Sequence, residues 1–234
     1  MNIRIKAFTF IIAAAVCWAS CKKNNDRPIY LPTTSVRVIN ASNNIINFYQ
    51  NGTRLNNTSS YFPGGTLGNL TVKAGLQNYQ IKLASPSTPN PLFTLPLTLD
   101  SGKVYSLYVS GQTPESIFFT NDTATTASKV AKIRFVNASP DAGPLTLAFV
   151  AGTPPVFTPQ FSNIVYKTTT DFLNVTPSST GSLVLSVYQA GSDMSTAKKD
   201  TVTISTGRIY TVVGYGTIGS GGNQAIGTSL IVNQ

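Results

Sequence analysis

Apolar positions follow two patterns along this chain, one at its start and one that recurs over the remainder. Residues 7–18 are apolar except for Thr9 and follow the basic residues Arg4 and Lys6. That run is short of the ~20 residues a membrane-spanning helix needs and has the length and basic flank of a signal-peptide core. From residue 34 onward, short stretches such as Tyr79-Gln80-Ile81-Lys82-Leu83 and Leu183-Val184-Leu185-Ser186-Val187 alternate or concentrate apolar residues between Gly, Pro, Asn and Ser. A two-residue period places neighbouring side chains on opposite faces, so these stretches are predicted to be strands. Helix formers are scarce: Glu115 is the single glutamate, and alanine is sparse outside the first segment.

The strand pattern occurs twice. Val36-Arg37-Val38-Ile39-Asn40-Ala41-Ser42 returns as Ile133-Arg134-Phe135-Val136-Asn137-Ala138-Ser139, and the segment 97–105 returns as 202–210 with the same Gly-x-x-Tyr ending. The offset grows along the chain, so the copies share a framework and differ in loop length. Units of roughly 100 residues are tandem domains, because solenoid repeats are shorter. The predicted organisation is a signal peptide over residues 1–20, a polar tether over 21–33, one domain over 34–120, a linker over 121–128 and a second domain over 129–234. About seven short strands per copy, with frequent turn residues, fit an immunoglobulin-like β-sandwich. Gly102 and Gly207 each follow a polar turn, and Tyr105 and Tyr210 stand three residues later. That spacing suits a tyrosine corner, with plain core aromatics as the alternative.

Ala19 and Ser20 lead the first apolar run into Cys21. The start of the chain resembles bacterial lipoproteins, whose signal is cut before a cysteine that carries diacylglyceryl and palmitate chains. Cys21 is the expected lipidation site. The resemblance departs at Trp18, where leucine is usual; Cys17, preceded by the bulkier Val16, is the competing acceptor, and an ordinary secretory signal is the plainer alternative. The implied setting is the cell envelope, lipid-anchored and most simply at the outer membrane, with Lys22, Lys23 and Arg27 beside the lipid able to meet anionic head groups.

The opening Ile-Arg-Phe-Val-Asn-Ala-Ser-Pro-Asp at 133–141, the later Leu173-Asn174-Val175 and the closing run 207–213 are similar to the domain of unknown function 4397 family, often found in tandem in bacterial surface and secreted proteins. The resemblance covers nearly all of the second copy and, more loosely, the first, where Asn43-Asn44 stands in place of Pro140-Asp141. It implies a sandwich fold and an extracytoplasmic setting and brings no catalytic residues.

Charge and composition narrow the chemistry. The chain has 17 Lys and Arg against 8 acids, for a net charge of +9, but the basic residues are scattered, which argues against a nucleic-acid face. Histidine is absent, and Cys17 and Cys21 are the only cysteines, so the part after the signal can form neither an internal disulfide nor a Ser-His or Cys-His nucleophile. No cofactor or metal is expected. Gly214-Tyr215-Gly216-Thr217-Ile218-Gly219 matches the dinucleotide spacing, but Ser220-Gly221-Gly222-Asn223 gives no helix start to receive a pyrophosphate. Ser195-Thr196-Ala197-Lys198 matches an acyl-transfer motif but falls in a polar loop.

The Asn-Ala-Ser motifs are read as turn-forming framework rather than ligand sites, and Arg37 and Arg134, alternating with core positions, are placed at solvent. The expectation is a non-enzymatic binding or adhesion module at the cell surface, with a glycan or an envelope protein as partner. Residues 61–65, 157–161 and 219–223 are its candidate exposed contact loops. The alternatives are a scaffold for an envelope complex and, behind it, a carbohydrate-active enzyme.

Overall fold

The computed structural model describes residues 31–56, 59–85, 91–122, 129–219 and 225–233. The first copy holds β1 (Thr33–Asn40), β2 (Ile46–Gln50), β3 (Thr53–Arg54), β4 (Thr66–Lys73), β5 (Gly75–Leu83), β6 (Phe93–Leu99), β7 (Val104–Val109) and β8 (Ile117–Asn121). The second holds β9 (Ala131–Asn137), β10 (Leu145–Ala151), β11 (Val156–Ile164), β12 (Leu173–Val175), β13 (Ser182–Gln189), β14 (Lys199–Thr203), β15 (Ile209–Tyr215) and β16 (Gly227–Val232). These make four sheets of four strands, ordered β4-β1-β7-β8, β3-β2-β5-β6, β12-β9-β15-β16 and β11-β10-β13-β14. Adding eight to each strand number of the first copy generates the second, so the sequence repeat is a repeat of topology. The chain is all-β, two tandem immunoglobulin-like sandwiches with eight strands in each rather than seven. In both, the first strand runs parallel to the seventh: Val36 pairs with Tyr105, and Ile133 with Tyr210.

Each sandwich has its own core between its two sheets. Val36, Val38, Phe48, Tyr79, Ile81 and Leu107 fill the first, and Ile133, Phe135, Leu145, Leu147, Leu185 and Val212 fill the second. Phe48 and Tyr79 stack with ring centroids 5.3 Å apart. Gly214 on β15 is a packing requirement, since a Cβ there would lie 2.9 Å from the Phe135 ring and 3.0 Å from Leu145 Cδ1.

A third core joins the copies. Ile39, Ala41 and Tyr108 from the outer face of the β4-β1-β7-β8 sheet pack with Val136, Ala138, Val213 and Ile231 from the matching face of the β12-β9-β15-β16 sheet. The two sandwiches thus stack outer face to outer face, and residues 32–234 form one compact unit. Burying four large aliphatic side chains and a tyrosine is worth on the order of 10 kcal/mol as an upper estimate, comparable with the whole stability of a typical domain.

This junction corrects the placement of the two arginines. Arg37 is 9% exposed and Arg134 5% exposed, because the face they share with Ile39 and Val136 is covered by the other copy. Asp122, in the segment predicted as linker, is also buried here: its side chain is 4% exposed and pairs with Arg134.

Candidate binding site at the junction of the two copies

Because β1 and β7 are parallel, and β9 and β15 likewise, each pair of strands ends together, β1 and β9 at the repeated Asn-Ala-Ser motif. Asn40, fully buried, donates from Nδ2 to the carbonyls of Tyr61 and Asn44, and its Oδ1 accepts from Ser42 N and Ser42 Oγ. Asn137 does the equivalent work, donating to the carbonyls of Gly143 and Ile164 and accepting from Ser139 N. A buried amide with its donors and acceptors met by backbone is framework, so the geometry agrees with the structural reading of Asn-Ala-Ser.

The residues that follow the motif differ between the copies. In the second copy Asp141 stays within its own sandwich, accepting from Ile218 N of the turn after β15 at 3.3 Å and from Ser139 Oγ at 3.4 Å. In the first copy Asn43 reaches across and donates from Nδ2 to Thr217 Oγ1 of the second. Around that bridge lies a cleft of about 190 Å³, lined among others by Asn43, Asn44, Gly111, Gln112, Pro140 and Thr217. None of its lining residues is charged. The nearby junction is tied further by Ser110 Oγ and Tyr166 OH at 2.6 Å and by Ser229 Oγ donating to the Gly64 carbonyl at 2.6 Å.

At the opposite end of the junction sits a buried polar network. Arg134 donates from Nε to Thr211 Oγ1 at 2.9 Å, pairs through Nη2 with Asp122, and lies 5.0 Å from the centre of the Phe172 ring. Asp122 also accepts from Ser106 Oγ and from Asn233 Nδ2. Arg37 donates from Nη1 to the Val232 carbonyl at 2.7 Å. Burial lowers the Arg37 pKa, opposed by the Asp122 charge, and pushes the Tyr108 hydroxyl up to about 12. With Arg134 paired to Asp122, Arg37 bonded to backbone and their atoms covered, this network fastens the copies together rather than offering a reactive group.

The residues singled out in sequence fall in several places. Cys21, with the signal and most of the tether, lies outside the described residues, as do residues 123–128 of the linker and 220–223 of the last loop. Tyr210 OH accepts from Ser205 N at 2.8 Å, and Tyr105 OH accepts from Asp100 N at 3.3 Å. Gly102 and Gly207 adopt φ of +70° and +79°, a left-handed turn that disfavours a side chain, and their amides donate to the carbonyls of Thr33 and Val130.

The contact loops need correction. Tyr61 is 1% exposed, in the first core, because its backbone bridges Ile46 on β2 and draws the ring inward. Gly64 is pressed against Tyr215, so the 61–65 loop belongs to the junction, although Phe62 remains exposed. Phe161 packs against the second core on β11. The dinucleotide-like run opens with Gly214 and Tyr215 inside β15, which pairs with β16 as a hairpin. Ser195 lies in a single 3-10 turn, Met194–Thr196, whose N-cap Asp193 accepts from Ser195 N, while Lys198 pairs with Asp200.

The inter-copy cleft was not anticipated. Its one sequence signal is the departure from the repeat at Asn43-Asn44.

These features define an extended class: two repeated sandwiches fused through their outer faces. A family model for a domain of unknown function, DUF4397, matches residues 34–148, and the chain carries a DUF4397-like domain. The match takes in the whole first sandwich and the opening strands of the second. No curated protein matches the chain.

Proposed function

We propose that this chain is a lipid-anchored, non-enzymatic binding module of the cell envelope, held at the outer membrane through acylated Cys21. The observation that carries the reading is the inter-copy cleft, where loops from both sandwiches converge on an uncharged pocket and a shared core fixes their geometry. A rigid scaffold presenting loops is how β-sandwich modules bind. Four of the eight acidic residues are spent on framework contacts, which supports a non-catalytic role: Asp122 on Arg134, Asp141 on the Ile218 amide, Asp193 on the Ser195 amide, and Asp200 on Lys198 and Thr228.

The scaffold reading, in which a sheet edge accepts a partner strand, finds less support. Outer strand β6 carries Pro96, β4 carries Gly68 at φ +90° with a register shift beside it, and β11 is bulged twice and carries Pro159. Prolines and bulges are devices that keep edges from pairing.

The test is the purified lipidated protein on an envelope-polysaccharide array, run beside a pull-down from its own membranes. Saturable binding to a glycan supports the module. Stoichiometric recovery of one membrane protein with no glycan binding would replace it with the scaffold.

A further inference from the structure

The cleft lies where the two copies stop being equivalent. The turn after β1 supplies Asn43 and Asn44, and the turn after β7 supplies Gly111 and Gln112; the matching turns of the second copy supply Pro140, Gly216 and Thr217. Asp141, the counterpart of Asn44, is taken up within its own copy by Ser139 Oγ and by Ile218 N of the turn after β15. By contrast, the side-chain amides of Asn44 and Gln112 have no hydrogen-bond partner among the described residues, and both line the cleft. Asn43 uses its Nδ2 on Thr217 and keeps its Oδ1 as an acceptor.

We propose that this cleft binds one neutral sugar unit, such as a terminal or branch pyranose of an envelope glycan. The proposal rests on the binding-module reading and gives it a site and a ligand class. Each carboxamide presents a donor and an acceptor side by side, the match for vicinal hydroxyls that both donate and accept. The lining offers no charge to pair with a phosphate, a carboxylate or an ammonium group, and burying an unpaired ion is costly. Ala41, Pro140 and the bare backbones of Gly111 and Gly216 leave a small C–H surface for the apolar face of a ring. The volume of about 190 Å³ suits one ring rather than an extended chain, being below the ~300 Å³ at which drug-sized pockets begin. With few hydrogen bonds and little buried area, affinity for a single unit falls near a Kd of about 1 mM, and a polymer gains by rebinding.

The experiment titrates the ¹⁵N-labelled mature chain with the methyl glycosides of glucose, galactose, mannose and N-acetylglucosamine. The expected result is saturable shifts, for at least one of them, at amides of residues 41–44, 110–112 and 216–217. Asn44→Ala and Gln112→Ala each weaken that binding about three- to tenfold, the worth of one hydrogen bond, and Gln160→Ala on β11 leaves it unchanged. Absence of shifts with all four glycosides, shifts elsewhere only, or equal binding by both cleft variants overturns the proposal. Should a variant misfold, the wild-type shift map decides alone. If a polysaccharide array shows a glycan bound equally by wild type and the double variant, the module reading survives and the cleft assignment falls.

Discussion

Asp122→Ala is the sharpest probe of the junction. The substitution leaves the Arg134 guanidinium, 5% exposed, with Thr211 Oγ1, a long 3.5 Å contact to Thr120 Oγ1 and the Phe172 ring in reach, and takes an acceptor from Ser106 and from Asn233. Removing one partner of a buried ion pair costs about 3–5 kcal/mol, because the other charge stays desolvated. That is a large fraction of the ~5–15 kcal/mol that holds a typical domain folded. Replacing both partners, as Asp122→Ala with Arg134→Met, removes the stranded charge, and the double variant is expected to recover to within about 2 kcal/mol of wild type. Guanidinium unfolding followed by far-UV circular dichroism, with midpoints compared at a shared slope, measures each arm. A loss below about 1 kcal/mol for Asp122→Ala, the range of exposed pairs, would refute the dry junction.

Three further outcomes follow from named contacts. Tyr210→Phe is expected to cost about 1 kcal/mol, the worth of its hydrogen bond to Ser205 N at 2.8 Å, and Tyr105→Phe less, its contact to Asp100 N being 3.3 Å; denaturant midpoints rank the two. Tyr61, Tyr79 and Tyr108 have pKa values raised by burial to about 12. Their neutral form favours the folded state, so this stability is intact below pH ~10 and is lost as pH climbs from ~10 through ~12, where the unfolded chain ionises first. Absorbance titration should show these tyrosines ionising late and together with unfolding, and early ionisation of all tyrosines in the folded protein would contradict their burial. Because Trp18 is the only tryptophan, protein cut before Cys21 should show tyrosine-only emission, and indole emission from purified mature material would exclude that cleavage.

Strands and repeat were legible because both rest on local pattern: apolar periodicity, turn residues and self-similarity. The count of seven strands per copy fell one short: Ile117–Asn121 and Gly227–Val232 complete the copies beside β7 and β15, although turn residues such as Gly111, Pro114 and Gly219 precede them. The outer faces were misjudged at Arg37 and Arg134 because a polar residue in a two-residue alternation looks the same whether it meets water or a second sheet. A signal did exist. Val38-Ile39 and Phe135-Val136 break the alternation with adjacent apolar residues, the pattern of a strand buried on both faces, and it recurs in both copies. Asp122 read as linker because the polar residues around it are those of a linker, and its partner is a long-range contact no local pattern reveals. The cleft could have been suspected only at Asn43-Asn44, where one copy abandons Pro-Asp.

The two sandwiches are one structural unit, fastened by Ile39, Tyr108, Val136, Val213 and Ile231. Guanidinium unfolding of the mature chain beside its two halves, divided between residues 122 and 129, tests it directly. One cooperative transition, with a slope set by the surface of the whole unit and halves that unfold at much lower midpoints or fail to fold, is the predicted result. Two separate transitions, each reproduced by an isolated half at an unchanged midpoint, would contradict it.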